Sequence, residues 1–345
     1  MQARNQYFPA LDTLRLLASI NIVLHHFSTS SLLSYAKGTV FQPVIEGPVF
    51  NASMFFILSG FIYSIIFSNE GRHPKFKSFM KERFRRLYPL HIICTLIIFA
   101  IVFYRTSNLD NTAYAIKTLA LHASLLWAFV PKLGHWLNQP SWTLSVFFLC
   151  YALTPAFSRF LNRQNKNFTL WIMFFATWGV LVLALLYFKQ LPNVFRGIEF
   201  FSGMLLGKCF QRNAIPLPKA AWLNDLLLLL TAALLYINAD FFRSVNAGFY
   251  HHIVSPLLYC LFLLLLANNK GFIVRIFSIS WLRAIGKASF YTYLLHGVAI
   301  ELLHLYLDKV LHWEKNIFNN PTATFAIMFA LYGGCAVYNK LQAKK

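Results

Sequence analysis

The chain has 345 residues, 58% of them hydrophobic and only 12% charged, with a mean hydropathy of +0.54. That balance excludes an ordinary soluble domain and predicts an all-α fold, a polytopic bundle of membrane helices. The formal charge of +20 would suit nucleic acid, but the basic residues lie between apolar stretches, where topology determinants sit, so no nucleic-acid partner is expected.

The first apolar segment, LDTLRLLASINIVLHHF over residues 11–27, is nearly long enough to cross a bilayer and yet holds Asp12, Arg15, His25 and His26. Ionisable groups in such a segment face a protein interior or a wet cavity. On a helix, Arg15 and His26 are eleven positions apart, about three turns, so they share a face roughly 16 Å apart along the axis. His25 is turned roughly 80° from Arg15. A snorkelling arginine with two packed histidines fits this segment equally well.

Ten spans are predicted, at residues 11–31, 47–68, 87–104, 141–161, 168–188, 194–210, 221–237, 249–267, 288–307 and 322–341. Placing both termini in the cytoplasm puts 21 of the 31 basic residues on the inner side, the bias expected of membrane proteins. An eleventh apolar piece, 112–130, would invert every later loop if it crossed. It is predicted to be an outer re-entrant or surface-lying helix, joining Trp136 and the 140–142 turn in a lid. No cleavable signal is expected, and residues 1–345 read as one integral-membrane domain. The five cysteines lie in apolar stretches without metal-ligand spacing, so neither a disulfide framework nor a metal is expected.

Several stretches carry candidate chemistry. The second span, FNASMFFILSGFIYSIIF, offers Ser53, Ser59 and Gly60 as small residues for close helix approach. The loop after it places seven Lys/Arg in fifteen residues and ends in Arg83, Arg85 and Arg86. Guanidinium forks there suit a phosphorylated donor such as coenzyme A, and equally an anionic membrane lipid. The fourth span opens on an aromatic and hydroxyl-rich entrance with Trp142 and Ser145, where Trp142 fits an interface anchor as well as a substrate platform. In the sixth, Arg196 and Glu199 stand three apart and are expected to form a buried structural pair. In the ninth, His296 lies inside the span beside Tyr291 and Tyr293. It is a functional candidate, with hydrogen-bonded packing as the alternative.

In order along the chain, these pieces resemble the acyltransferase-3 family of integral-membrane acyltransferases. FPALDTLRLLASINIVLHHF is similar to that family's opening Leu-Asp-x-Leu-Arg stretch with a histidine beyond the arginine, and ASMFFILSGF to its Phe-Phe-x-Leu-Ser-Gly-Phe motif. RFRRLYP resembles its Arg-x-x-Arg motif, PSWTLSV its Trp-Ser-Leu-Ser entrance, and FFSGMLLG and IGKASFYTYLLHG its later elements. Two departures stand out. Phe147 and Phe148 occupy places where many members carry Glu, and Gly297-Val298 replace a His-x-Pro continuation.

The resemblance implies transfer of an acyl group, commonly acetyl, from cytoplasmic acetyl-CoA or another acyl-CoA to a hydroxyl of a cell-surface or exported glycan or glycolipid, including lipopolysaccharide. It implies a bacterial inner membrane. With no appended hydrolase-like domain expected, transfer would finish inside the bundle. On that reading His26 is the general base or the acyl carrier, and Asp12 pairs with Arg15, which reaches the donor or the oxyanion. Arg83, Arg85 and Arg86 hold donor phosphates, and His25, Trp142, Ser145 and His296 contact the acceptor. A sugar or lipid-linked-substrate transporter or flippase, or a non-catalytic relative, is the competing expectation. Oligomeric state is not legible.

Overall fold

The computed structural model describes residues 7–27, 36–46, 52–67, 74–106, 112–130, 137–187, 194–244, 248–309 and 321–342. Among these residues the regular structure is helical throughout, with no strand. The α-helices are α1 (Pro9–Phe27), α2 (Gln42–Glu46), α3 (Ala52–Ile66), α4 (Phe76–Thr106), α5 (Thr112–Ala123), α6 (Trp142–Asn162) and α7 (Asn167–Tyr187). They continue as α8 (Arg196–Gln211), α9 (Ala221–Ser244), α10 (Gly248–Ala267), α11 (Phe272–Phe277), α12 (Ser280–Lys309) and α13 (Pro321–Gln342). Each of the ten expected spans falls on one of these helices. Among the described residues, four segments are long and apolar enough to cross a membrane by length and composition: Phe76–Tyr104, Gln139–Asn162, Asn167–Tyr187 and Ala221–Phe241.

The outer surface explains the composition. On α7, Phe168, Ile172, Phe175, Val180 and Leu183 are exposed, and on α9 so are Leu226, Leu229, Leu230, Leu234 and Ile237. Exposed apolar rows at helical spacing on separate helices are what lipid-facing surfaces need, because lipid removes the penalty water would impose. The polar groups point inward: Asp12, Asn21, Ser53, His91, Asn138, Glu199 and His296 are all buried.

Two helix pairs form the frame around the site. Helix α3 packs most extensively on α8, and α1 on α12. Glycine makes the first crossing possible. A Cβ at Gly60 would stand 1.8 Å from the Phe200 carbonyl oxygen, and one at Gly203 would stand 2.1 Å from that of Ile57. The backbones therefore touch with no side chain between them. Arg196 and Glu199 form the buried pair expected of them, and it also reinforces this crossing. Nη1 of Arg196 donates to Oε1 of Glu199 at 2.6 Å and to Oγ of Ser53 on α3 at 2.5 Å.

Three boundaries differ from expectation. From Phe76 on, the basic stretch before the third span is not a loop; it is the start of α4, continuous through Pro89, while Arg72 lies outside the described residues. At 31 residues, α4 is about 46 Å long, some 16 Å more than a hydrocarbon core. Helix α12 begins at Ser280, eight residues before the expected span. The segment 112–130 is a 12-residue helix, about 18 Å and too short to cross, followed by a 3-10 turn over Trp127–Phe129. It is tied to its neighbours: Nε2 of His91 on α4 lies 2.9 Å from the His122 carbonyl oxygen, and Trp127 donates to Oγ of Ser141 at 3.2 Å. Trp136, assigned to the same lid, lies outside the described residues.

Candidate active site

Helix α1 starts on Pro9, whose missing N–H costs nothing in a first turn, and places Asp12 in that turn, where a carboxylate opposes the helix dipole. Because α1 runs unbroken to Phe27, the spacing of Arg15 and His26 along one face holds. Asp12 is buried and doubly bound. Its Oδ1 accepts from Nη1 of Arg15 at 2.9 Å and its Oδ2 from the Tyr7 hydroxyl at 2.5 Å. Partial burial, and then the carboxylate beside it, push the Tyr7 hydroxyl up to about 12, so it remains a donor at neutral pH. The opposite wall is the backbone of α12, where a Cβ at Gly286 would meet the Asp12 carbonyl oxygen at 2.0 Å.

Between α1, α3, α4, α6 and α12 lies a cavity of about 340 Å³. Among the described residues four cations line it, Arg15, Arg83, Arg86 and Lys287, and no carboxylate does. Ser59, Thr143, Tyr151, Ser289 and Tyr293 add hydroxyls. Arg83 is held over the rings of Tyr63 and Phe79, 5.4 and 5.2 Å from their centroids, and pairs with Glu82 at 3.2 Å. Its Nε is buried without a hydrogen-bond partner.

Arg85 does not join this group. Successive residues of a helix diverge by about 100°, and Arg85 instead faces a second, wider cavity of about 660 Å³ with Lys81, Glu82, Tyr291 and Tyr338. Arg86 lines both cavities.

The histidines from the two ends of the sequence meet. Nε2 of His296 lies 3.2 Å from Nδ1 of His26, with ring centroids 4.9 Å apart. Neither histidine is among the cavity's lining residues; the ring of Tyr293, a cavity-wall residue, is 5.7 Å from that of His296. His25 turns towards α2, with Nδ1 3.1 Å from the Ile45 carbonyl oxygen. Trp142 lies against Phe56 at 6.0 Å, while Thr143 and Phe147 take the cavity wall next to it. Phe147 stacks on Phe56 at 4.2 Å, so the position where many family members carry Glu is an aromatic wall here. Ser145 is buried with its Oγ unpartnered, away from the cavity lining.

Lys287 is the site residue that sequence reading missed. Its signal was present: with Phe290 and Leu294 it forms a stripe spaced three and four apart on α12.

The profile of a family described as an acyltransferase domain matches residues 8–340. Peptidoglycan O-acetyltransferase OatA of Listeria monocytogenes is 23% identical over 325 residues, covering 86% of this chain and 50% of that protein. O-acetyltransferase OatA of Staphylococcus aureus is 24% identical over 333 residues, covering 87% of this chain and 52% of that protein. The chain thus spans about half the length of these relatives. No solved structure matches it.

Proposed function

Because the chain belongs to the acyltransferase-3 family, we propose that it is a membrane O-acyltransferase moving an acetyl group from acyl-CoA to a glycan hydroxyl. Peptidoglycan is the acceptor named for the Listeria relative, and a carbohydrate hydroxyl is the class carried over from it. The observation that supports this reading is the four-cation cavity, with no carboxylate among its described lining residues, one of whose wall residues, Tyr293, has its ring 5.7 Å from that of His296. A polyanionic donor fits such a lining, since each charge-assisted hydrogen bond to phosphate gains more than a neutral one. We place the donor on the cytoplasmic side of a bacterial inner membrane, with both termini on that side and Arg83 and Arg86 towards its phosphates.

In the reaction, His26 takes the proton of the acceptor hydroxyl as its oxygen attacks the thioester carbonyl. The C–O bond forms, the C–S bond breaks, and the thiolate leaves with the proton His26 received. Products are the acetyl ester and free CoA. Positioned base catalysis of this kind contributes typically 10²- to 10⁴-fold. The Asp12–Arg15 pair keeps a guanidinium at the cavity edge without leaving a buried carboxylate unpaired.

The test is radiolabelled acetyl-CoA supplied to membranes holding the wild-type protein or His26→Ala in equal amounts, followed by counting label in glycan fractions. Label in glycan with wild type alone is expected. Equal labelling by the variant would remove His26 from the chemistry, and no labelling by either across acceptors and donors would overturn the transferase reading.

A further inference from the structure

We infer that His296 is a positioning residue: it holds the proton of His26 on Nδ1 and thereby leaves Nε2 as the reacting nitrogen. The inference rests on the transferase reading above and concerns the base in it.

The argument is a chain of donors and acceptors. Nδ1 of His296 lies 2.5 Å from the Tyr293 carbonyl oxygen, which can only accept, so that nitrogen carries a proton. A neutral imidazole has one N–H, which leaves Nε2 of His296 as an acceptor. Nδ1 of His26 faces that acceptor at 3.2 Å and the Ile22 carbonyl oxygen at 2.9 Å. Both neighbours accept, so Nδ1 of His26 must donate. The lone pair of His26 is then on Nε2, which has no hydrogen bond among the described residues.

The reverse polarity fails on two counts. It would set a bare Nδ1 of His26 against the Ile22 oxygen at 2.9 Å. It would also put a second proton, and a charge, on the fully buried His296. Ile22 alone is a weak guide, because its carbonyl already serves the helical hydrogen bond from residue 26. His296 is the dedicated partner.

Its place is fixed from behind. Nδ2 of Asn138 donates to the Leu294 carbonyl at 3.2 Å, and the Tyr293 hydroxyl donates to that of Pro140 at 3.3 Å. Gly297 lies so close that a Cβ there would meet Oδ1 of Asn138 at 2.9 Å. These contacts hold one turn of α12 against the segment preceding α6. When Nε2 of His26 accepts the hydroxyl proton, the resulting imidazolium keeps Nδ1–H pointed at His296, and no further proton has to move.

Two measurements decide the matter. The first is ¹⁵N-histidine NMR of the wild-type protein in bilayers, which reads the tautomer without a variant. A protonated Nδ1 and bare Nε2 on His26 are expected, and the opposite tautomer overturns the inference. The second is kinetics of His296→Leu and His296→Gln. Leu cannot accept from His26, and kcat should fall about 10- to 100-fold with KM for acetyl-CoA unchanged. Gln sets an amide oxygen near the place of Nε2 and should restore kcat to within a few-fold of wild type. Wild-type kcat in the Leu variant, or a raised acceptor KM at constant kcat, overturns the positioning role; the latter would make His296 the acceptor contact that the sequence suggests. Gln as impaired as Leu overturns it as well. Wild-type protein that transfers no acetyl group at all is the separate failure of the transferase reading.

Discussion

At the scale of single residues, the basic run divides by helical geometry. Arg83 and Arg86 stand three apart and share the smaller cavity with Lys287, while Arg85 faces the wider one. Arg83→Gln and Lys287→Gln should therefore each raise KM for acetyl-CoA roughly tenfold, the loss of one charge-assisted hydrogen bond. Arg85→Gln should leave it within about threefold. Initial-rate kinetics on purified protein in lipid vesicles would show the division, and equal effects in all three variants would contradict it. Sequence reading grouped the three because it placed them in a loop, where side-chain direction has no period. Once α4 begins at Phe76, the period separates them. The relation of Arg15 to His26 was readable because both lie on one unbroken helix. The meeting of His26 with His296 was not, because it depends on how two helices 270 residues apart in sequence pack.

At the scale of elements, the α3–α8 crossing is where substitution should cost most. Gly60→Val and Gly203→Val each drive a side chain into facing backbone, which cannot move aside as a flexible side chain can. Loss of folded protein, or destabilisation at or above the usual overpacking cost of about 1–3 kcal/mol, is expected. Gly179→Val is the control, since a Cβ there meets nothing within 4 Å. Thermal unfolding in detergent, followed by size-exclusion chromatography, checks all three. The sequence marked Gly60 as a site of close approach from residue size alone. It did not show that α8 is the helix that approaches, because many small-residue helices could have filled that place.

At the scale of the whole molecule, the positions of the apolar helices were readable because apolar content sums locally along the chain. The charge bias argued against a crossing at 112–130, and the helix there runs only from Thr112 to Ala123. The charge bias, with 21 of 31 cations on the inner side when both termini are cytoplasmic, is the ground for the orientation proposed above. Reporter fusions at the two termini, active only in the cytoplasm, should both report. A single active terminus would require an odd number of crossings and would overturn the ten-span assignment. The cavities were not readable at this scale, because they are spaces left by packing and no local stretch encodes them.

Arg86 faces two cavities with a single guanidinium. An anion seated in either one changes the electrostatic work of seating an anion in the other. Thermodynamic linkage makes this effect reciprocal: whatever factor occupancy of the wider cavity applies to affinity in the smaller, occupancy of the smaller applies in return. Two spaces lined by one shared side chain are thereby joined energetically through it.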